Sequence, residues 1–213
     1  MIQSIQTKHS FLLSLLTVFG LLFFSSCDDN GSGSDEPEPE VEANTVEDLN
    51  ADGQYAFFSL RTGEIVDSAD SASTEWDLAF NATTILTNSG ISGPGSGGAI
   101  VLDASFNSVA IAPAEGYNID EAEILAIPTG TDNGWYHYTG FEGTPPHGII
   151  PLPDKTIVVR TADGNHYAKV QILSYYKGNP DVTSEDFNDE DNPGRHYTFE
   201  YTIQLQEGVR DLE

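Results

Sequence analysis

The chain has 213 residues, of which 34 are Asp or Glu and eight are Lys or Arg, a formal net charge of −26 at pH 7. That balance excludes a nucleic-acid partner, since phosphate binding depends on Lys and Arg neutralising the backbone. One cysteine excludes a disulfide framework, while 11 Phe, nine Tyr and two Trp supply the bulk for a sizeable core.

Met1 to Ser10 is polar with Lys8 as its one cation, and Phe11 to Phe24 is an apolar run of 14 residues ending in Ser25, Ser26 and Cys27. This is the layout of a signal peptide covering residues 1–26. The run is shorter than the roughly 20 apolar residues that cross a bilayer. A cysteine directly after two small residues marks a lipoprotein signal, so Cys27 is the expected acylation site and the chain's link to a membrane. The plain alternative, a free thiol, leaves an oxidation-prone group with no partner. Several acyl chains anchor stably where one holds only marginally.

Loss of the signal removes Lys8 and no acid, leaving seven cations against 34 acids, a net charge of −27. Asp28 to Asp48 carries nine acids, a Gly31-Ser32-Gly33-Ser34 run and alternating Glu and Pro. Such a composition cannot bury a core, so residues 27–48 read as an acidic, disordered tether. Asp28-Asp29, next to the cysteine, is also compatible with a surface-export signal, which leaves the outer-membrane location open between cell surface and periplasm.

From Leu49 to Glu213 the pattern is that of one all-β domain, an antiparallel sandwich or open barrel. Strands are expected at Tyr55–Leu60, Trp76–Phe80, Ala99–Leu102, Trp135–Tyr138, Thr156–Arg160, Tyr167–Tyr176 and Tyr197–Gln206. The last alternates cleanly. Tyr197, Phe199, Tyr201, Ile203 and Leu205 share one face, and Thr198, Glu200, Thr202 and Gln204 share a wet one. Asp163-Gly164 marks a hairpin between two of the runs. Asp120 to Ile127 allows a short helix that Pro128 ends. Gly93 to Gly98 satisfies G-x-G-x-x-G, but it leads into the strand at Ala99 where a dinucleotide site needs a helix, so it reads as a mobile loop.

The residues carry no nucleophile elbow, histidine-pair metalloprotease motif or cysteine nucleophile, and the chain reads as a binding protein, not an enzyme. Asp186 to Asp191 lacks the glycine and glutamate spacing of a calcium loop and reads as a solvated acidic turn. Composition and pattern alone reach an anchored β domain. The ligand stays open at this level among a small molecule, a glycan and a protein.

Tyr55-Ala56-Phe57-Phe58-Ser59-Leu60, Gly63-Glu64-Ile65-Val66, Trp76-Asp77-Leu78-Ala79-Phe80 and Thr87-Asn88-Ser89-Gly90 resemble the opening of the HmuY-like haem-binding lipoproteins. Val158 to Asn165 and Ala168 to Ile172 resemble that family's strongest signature. The resemblance implies an all-β fold, haem as the ligand, and iron acquisition by delivery to an outer-membrane transporter. Haem needs an apolar slot and a His, Met, Cys or Tyr donor to iron. Met1, the one methionine, leaves with the signal. The family places one histidine shortly before the Val-Val-Arg strand, which here implies His147 in Thr144-Pro145-Pro146-His147-Gly148. Its plain alternative is an exposed loop histidine. The stretch from Tyr117 to Trp135 is too short for the family's other histidine, so His137 is the nearest substitute. Alternation puts His137 opposite Tyr136 and Tyr138, as a satisfied sheet residue or as the second ligand. His166 and His196 read as structural or solvated.

Overall fold

The structure, a computed structural model, describes residues 41–188 and 190–213. The signal peptide, Cys27 and the acidic stretch up to residue 40 lie outside the described residues. The strands are β1 (Val41–Asn50), β2 (Ala56–Ser59), β3 (Glu64–Val66), β4 (Leu78–Asn81), β5 (Thr84–Thr87), β6 (Gly98–Asp103), β7 (Tyr136–Tyr138), β8 (Ile149–Pro151), β9 (Lys155–Arg160), β10 (Tyr167–Tyr176) and β11 (Gly194–Gln204). They form a sheet in the order β1-β11-β10-β9-β6, a second in the order β3-β2-β4-β5, and the small hairpin β7-β8. Every strand pairing in them is antiparallel. The protein is an all-β antiparallel sandwich.

The alternation in β11 explains why the two larger sheets face each other. Tyr197, Phe199, Tyr201 and Ile203 point to one side, where Phe58 of β2 and Phe80 of β4 meet them. Phe58 stands edge-on to Phe199 at 5.4 Å between centroids, and Phe80 stacks on Phe199 at 5.3 Å. Each such pair contributes about 0.5–1.5 kcal/mol beyond the area that it buries. One end of the sandwich is tied by Asp77, which is 1% exposed. Its carboxylate accepts from Leu60 N and Ala162 N, both at 2.8 Å, and from Arg61 Nε at 3.2 Å. Burial pushes this carboxyl above its ordinary value, opposed by Arg61 and by the N–H groups of Ala162 and Leu60.

Four expectations are corrected. The tether does not extend to residue 48: Val41 to Asp48 belongs to β1 and pairs with β11 from Val41↔Gln204 onward. A ladder of backbone hydrogen bonds needs no apolar alternation, so this polar strand carries no sequence signal. The wet face of β11 is covered, with Thr198, Thr202 and Gln204 each buried. Near Thr202 and Gln204 the chain around Val109 to Ala112 and around Leu212 lies across the sheet, held by Leu212 N to Ala110 O at 2.8 Å and by Lys169 Nζ to Val109 O at 2.9 Å. Asp120 to Ile127 is not helical. The Asp120 carboxylate is taken instead by Thr87 N at 2.9 Å and Ala126 N at 2.8 Å, which fixes an irregular turn. The glycine loop is clamped on Asn88, whose Oδ1 accepts from Gly95 N at 2.9 Å; a Cβ on Gly93 would stand 2.7 Å from the Trp76 ring. The Asp163-Gly164 turn joins β9 to β10 as expected, with Gly164 at φ +77°.

Candidate functional site

The hairpin β7-β8 carries both histidines read as ligands. Its register pairs His137 with Ile150 and Tyr138 with Ile149, so each pair shares a face. Trp135 and Tyr136, just before these residues, are buried, and Trp135 donates to Thr83 O at 3.2 Å. The hairpin is thereby pinned to the core at one end, and its loop, 139–148, projects. Thr139 closes that loop from both sides, its hydroxyl donating to Pro145 O at 2.6 Å and accepting from Gly148 N at 2.7 Å. His147 sits there at φ +59°, a conformation that few residues other than Gly, Asn, Asp and His adopt, and its N–H donates to Gly140 O at 2.8 Å.

The imidazole of His147 lies against Tyr138, with ring centroids 6.0 Å apart and planes 27° apart. Its Nδ1 shares a hydrogen bond with the Tyr138 hydroxyl. The pair has two hydrogen arrangements. When Nδ1–H donates to the phenol oxygen, Nε2 keeps a free lone pair for a Lewis acid; when the phenol donates, Nε2 carries the hydrogen. Phe141, 74% exposed, meets the imidazole edge-on at 5.8 Å.

His147 lines a cleft of about 380 Å³ shared with Ile149, Tyr175, Tyr176, Arg195 and Asp52. That lies at the small end of ligand pockets, which suits a ligand held at a rim. Tyr176 takes a hydrogen bond from Ile149 N at 3.0 Å, which seats β8 against β10. Burial raises the Tyr175 hydroxyl above its ordinary value, and Arg195 opposes that shift. Asp52 accepts from Arg195 Nη1 at 2.8 Å. The cleft therefore offers an imidazole, two tyrosines, Ile149 and the Arg195–Asp52 ion pair, a lining of mixed polar and apolar character. A larger groove, about 580 Å³, runs past Tyr55, Phe57, Leu86, Ile91 and Pro94, but neither a histidine nor a charged side chain lines it.

The structure does not bring His137 and His147 together. His137 lies on the opposite face of the hairpin from Tyr138, and its Nδ1 is 2.9 Å from Asp132 Oδ1 in solvent. His166 pairs with Asp163 at 2.8 Å in the β9–β10 turn, and His196 Nδ1 donates to Gly194 O at 3.0 Å. Among the described residues no group of three or more His, Cys, Asp or Glu is placed to hold a metal ion.

Were a haem to occupy this cleft, His147 would be the one imidazole facing it, beside Ile149, Tyr175, Tyr176 and the Arg195–Asp52 pair, and His137 does not line the cleft. Tyr138, Tyr175 and Arg195 went unseen in the sequence reading. Alternation separated Tyr138 from His137, as found, yet nothing in the sequence shows that Tyr138 meets a histidine nine positions on. Residues 51–201 match the family model described as HmuY protein, which spans well over half of the chain. No curated protein matches it.

Proposed function

We infer, since this chain belongs to the HmuY family, that its β domain captures haem at the His147 cleft and passes it on for iron acquisition. The observation that supports His147 as the donor is the engagement of its Nδ1 by Tyr138. Ligating histidines commonly give their other ring N–H to an oxygen, which fixes tautomer and orientation. His147 would hold the haem through Nε2, and the iron would supply the Lewis acid for that lone pair. The chain's own residues do the rest: Tyr138 orients the imidazole, while Ile149, Tyr175 and Tyr176 offer surface to a flat apolar ring. His137 takes no part in this reading.

Titrating the protein with haemin and following the Soret band tests it. The native chain is expected to show a saturable one-to-one change. His147→Ala should lose the ligated spectrum, Tyr138→Phe should weaken binding by about 10–100-fold because the outer partner is gone, and His137→Ala should match the native chain. Absence of a saturable change in the native chain would sink the haem reading in favour of a non-haem ligand, a glycan or a protein. Loss of the ligated spectrum in His137→Ala but not in His147→Ala would move the donor.

The anchor belongs to the same proposal: Cys27 is acylated after removal of residues 1–26 and holds the domain at the outer membrane, within reach of a transporter that accepts the haem. Among the described residues no helix is long and apolar enough to cross a membrane. Cys27→Ala should move the protein from the membrane fraction to the soluble one with its β domain intact. A variant that stays on the membrane through a high-salt wash would refute the lipid anchor.

A further inference from the structure

We propose that Arg195 is the specificity determinant of the His147 cleft, selecting a ligand that carries a carboxylate, and that Asp52 competes with that carboxylate for the guanidinium. This inference rests on the reading of the cleft as a ligand site. Its starting point is the charge of the chain, which at −26 repels an anion approaching from nearly any side. The cations of the described residues are mostly committed elsewhere. Arg61 is held by Asp77 and Asp163, Lys155 by Asp103, and Lys169 by Val109 O. Arg160 bonds Ser96 O, and Arg210 bonds Ala112 O. Arg195 is the cation that lines the cleft.

The backbone around Arg195 is built to put it there. Gly194 lies so close to the Tyr175 ring that a Cβ on it would stand 2.8 Å from Cε1, so the strand can press on this tyrosine only with a glycine at that position. Arg195 follows at φ +66°, an unfavourable conformation for a residue with a long side chain, and such departures concentrate at binding sites. The guanidinium then donates to Asp52 at 2.8 Å and opposes the rise that burial gives the Tyr175 hydroxyl. Its side chain is 52% exposed and that of Asp52 57% exposed, so the ion pair is open to solvent and readily exchanged. An arginine offers five N–H donors in a planar fork, and a ligand carboxylate can take two of them side by side where Asp52 holds Nη1 alone. A neutral ligand gains nothing from this exchange.

The test titrates the full chain, purified in detergent, with haemin and with haemin dimethyl ester, in which both carboxylates are masked. The same is done with Arg195→Gln and Asp52→Asn. The native protein is expected to bind the diacid about fivefold tighter than the ester, the range of a half-exposed ion pair. Arg195→Gln should bring the diacid down to the level of the ester. Asp52→Asn should tighten the diacid by a similar factor and leave the ester unchanged, an improvement that no loss of folding can mimic. Equal binding of diacid and ester in all three proteins would overturn the role of Arg195 while leaving haem capture standing. A gain of both ligands in Asp52→Asn would overturn it too, since it would show a wider cleft with no recognition of the acid. Failure of both ligands to bind the native protein would remove the haem reading and this inference with it.

Discussion

A chain beginning at Leu49 is expected to melt about 10–20 °C below one beginning at Val41. Removing residues 41–48 strips six consecutive register pairs, Val41↔Gln204 to Val46↔Phe199, from the edge of the larger sheet. At roughly 1 kcal/mol for each backbone hydrogen bond, the loss is about 5 kcal/mol, and each kcal/mol lowers the melting temperature of a domain this size by about 2–4 °C. The removed segment also packs Val46 against the core, and it holds Asp48, whose Oδ1 accepts from Gly178 N at 2.7 Å. Its removal would leave β11, the strand that carries Tyr197, Phe199 and Tyr201, as a bare edge open to pairing with other chains. Thermal melts followed by circular dichroism on chains starting at Asp28, Val41 and Leu49 decide the matter. The first two should coincide and the third should fall away. Coincidence of all three would mean that β1 adds nothing to stability.

Asp77→Ala should destabilise the domain by about 3–5 kcal/mol, the range for breaking a buried ion pair by deleting one partner. The carboxylate joins three parts of the chain: the end of β2 through Leu60 and Arg61, the entry to β4, and the β9–β10 turn through Ala162. Deleting it leaves two buried N–H groups without acceptors and removes one of the two carboxylates paired with Arg61. Arg61→Ala should cost less, because the two N–H groups keep their acceptor. Denaturant unfolding of both variants gives the comparison. An Asp77→Ala loss below about 1 kcal/mol, or an Arg61→Ala loss as large as it, would contradict the assignment of Asp77 as the tie between the sheets.

What the sequence determined by itself was whatever burial writes into side-chain order. The alternation at 197–206, the apolar run at 167–176, and the Asp-Gly between two strand patterns specified β11, β10 and their turns, because each strand has a face that must reach a core. The all-β class and the separation of Tyr138 from His137 followed from the same period of two. Other features are decided by contacts that leave no local trace. β1 forms from polar residues because a backbone ladder asks for none in particular. The covered face of β11 depends on where the chain near 109–112 and 212 comes to rest, and the turn at 120–127 on Thr87 claiming the Asp120 carboxylate 33 positions away. The cleft is the extreme case. Asp52 and Arg195 are 143 positions apart, and only the pairing of β1 with β11 brings their ends together beside the loop that carries His147.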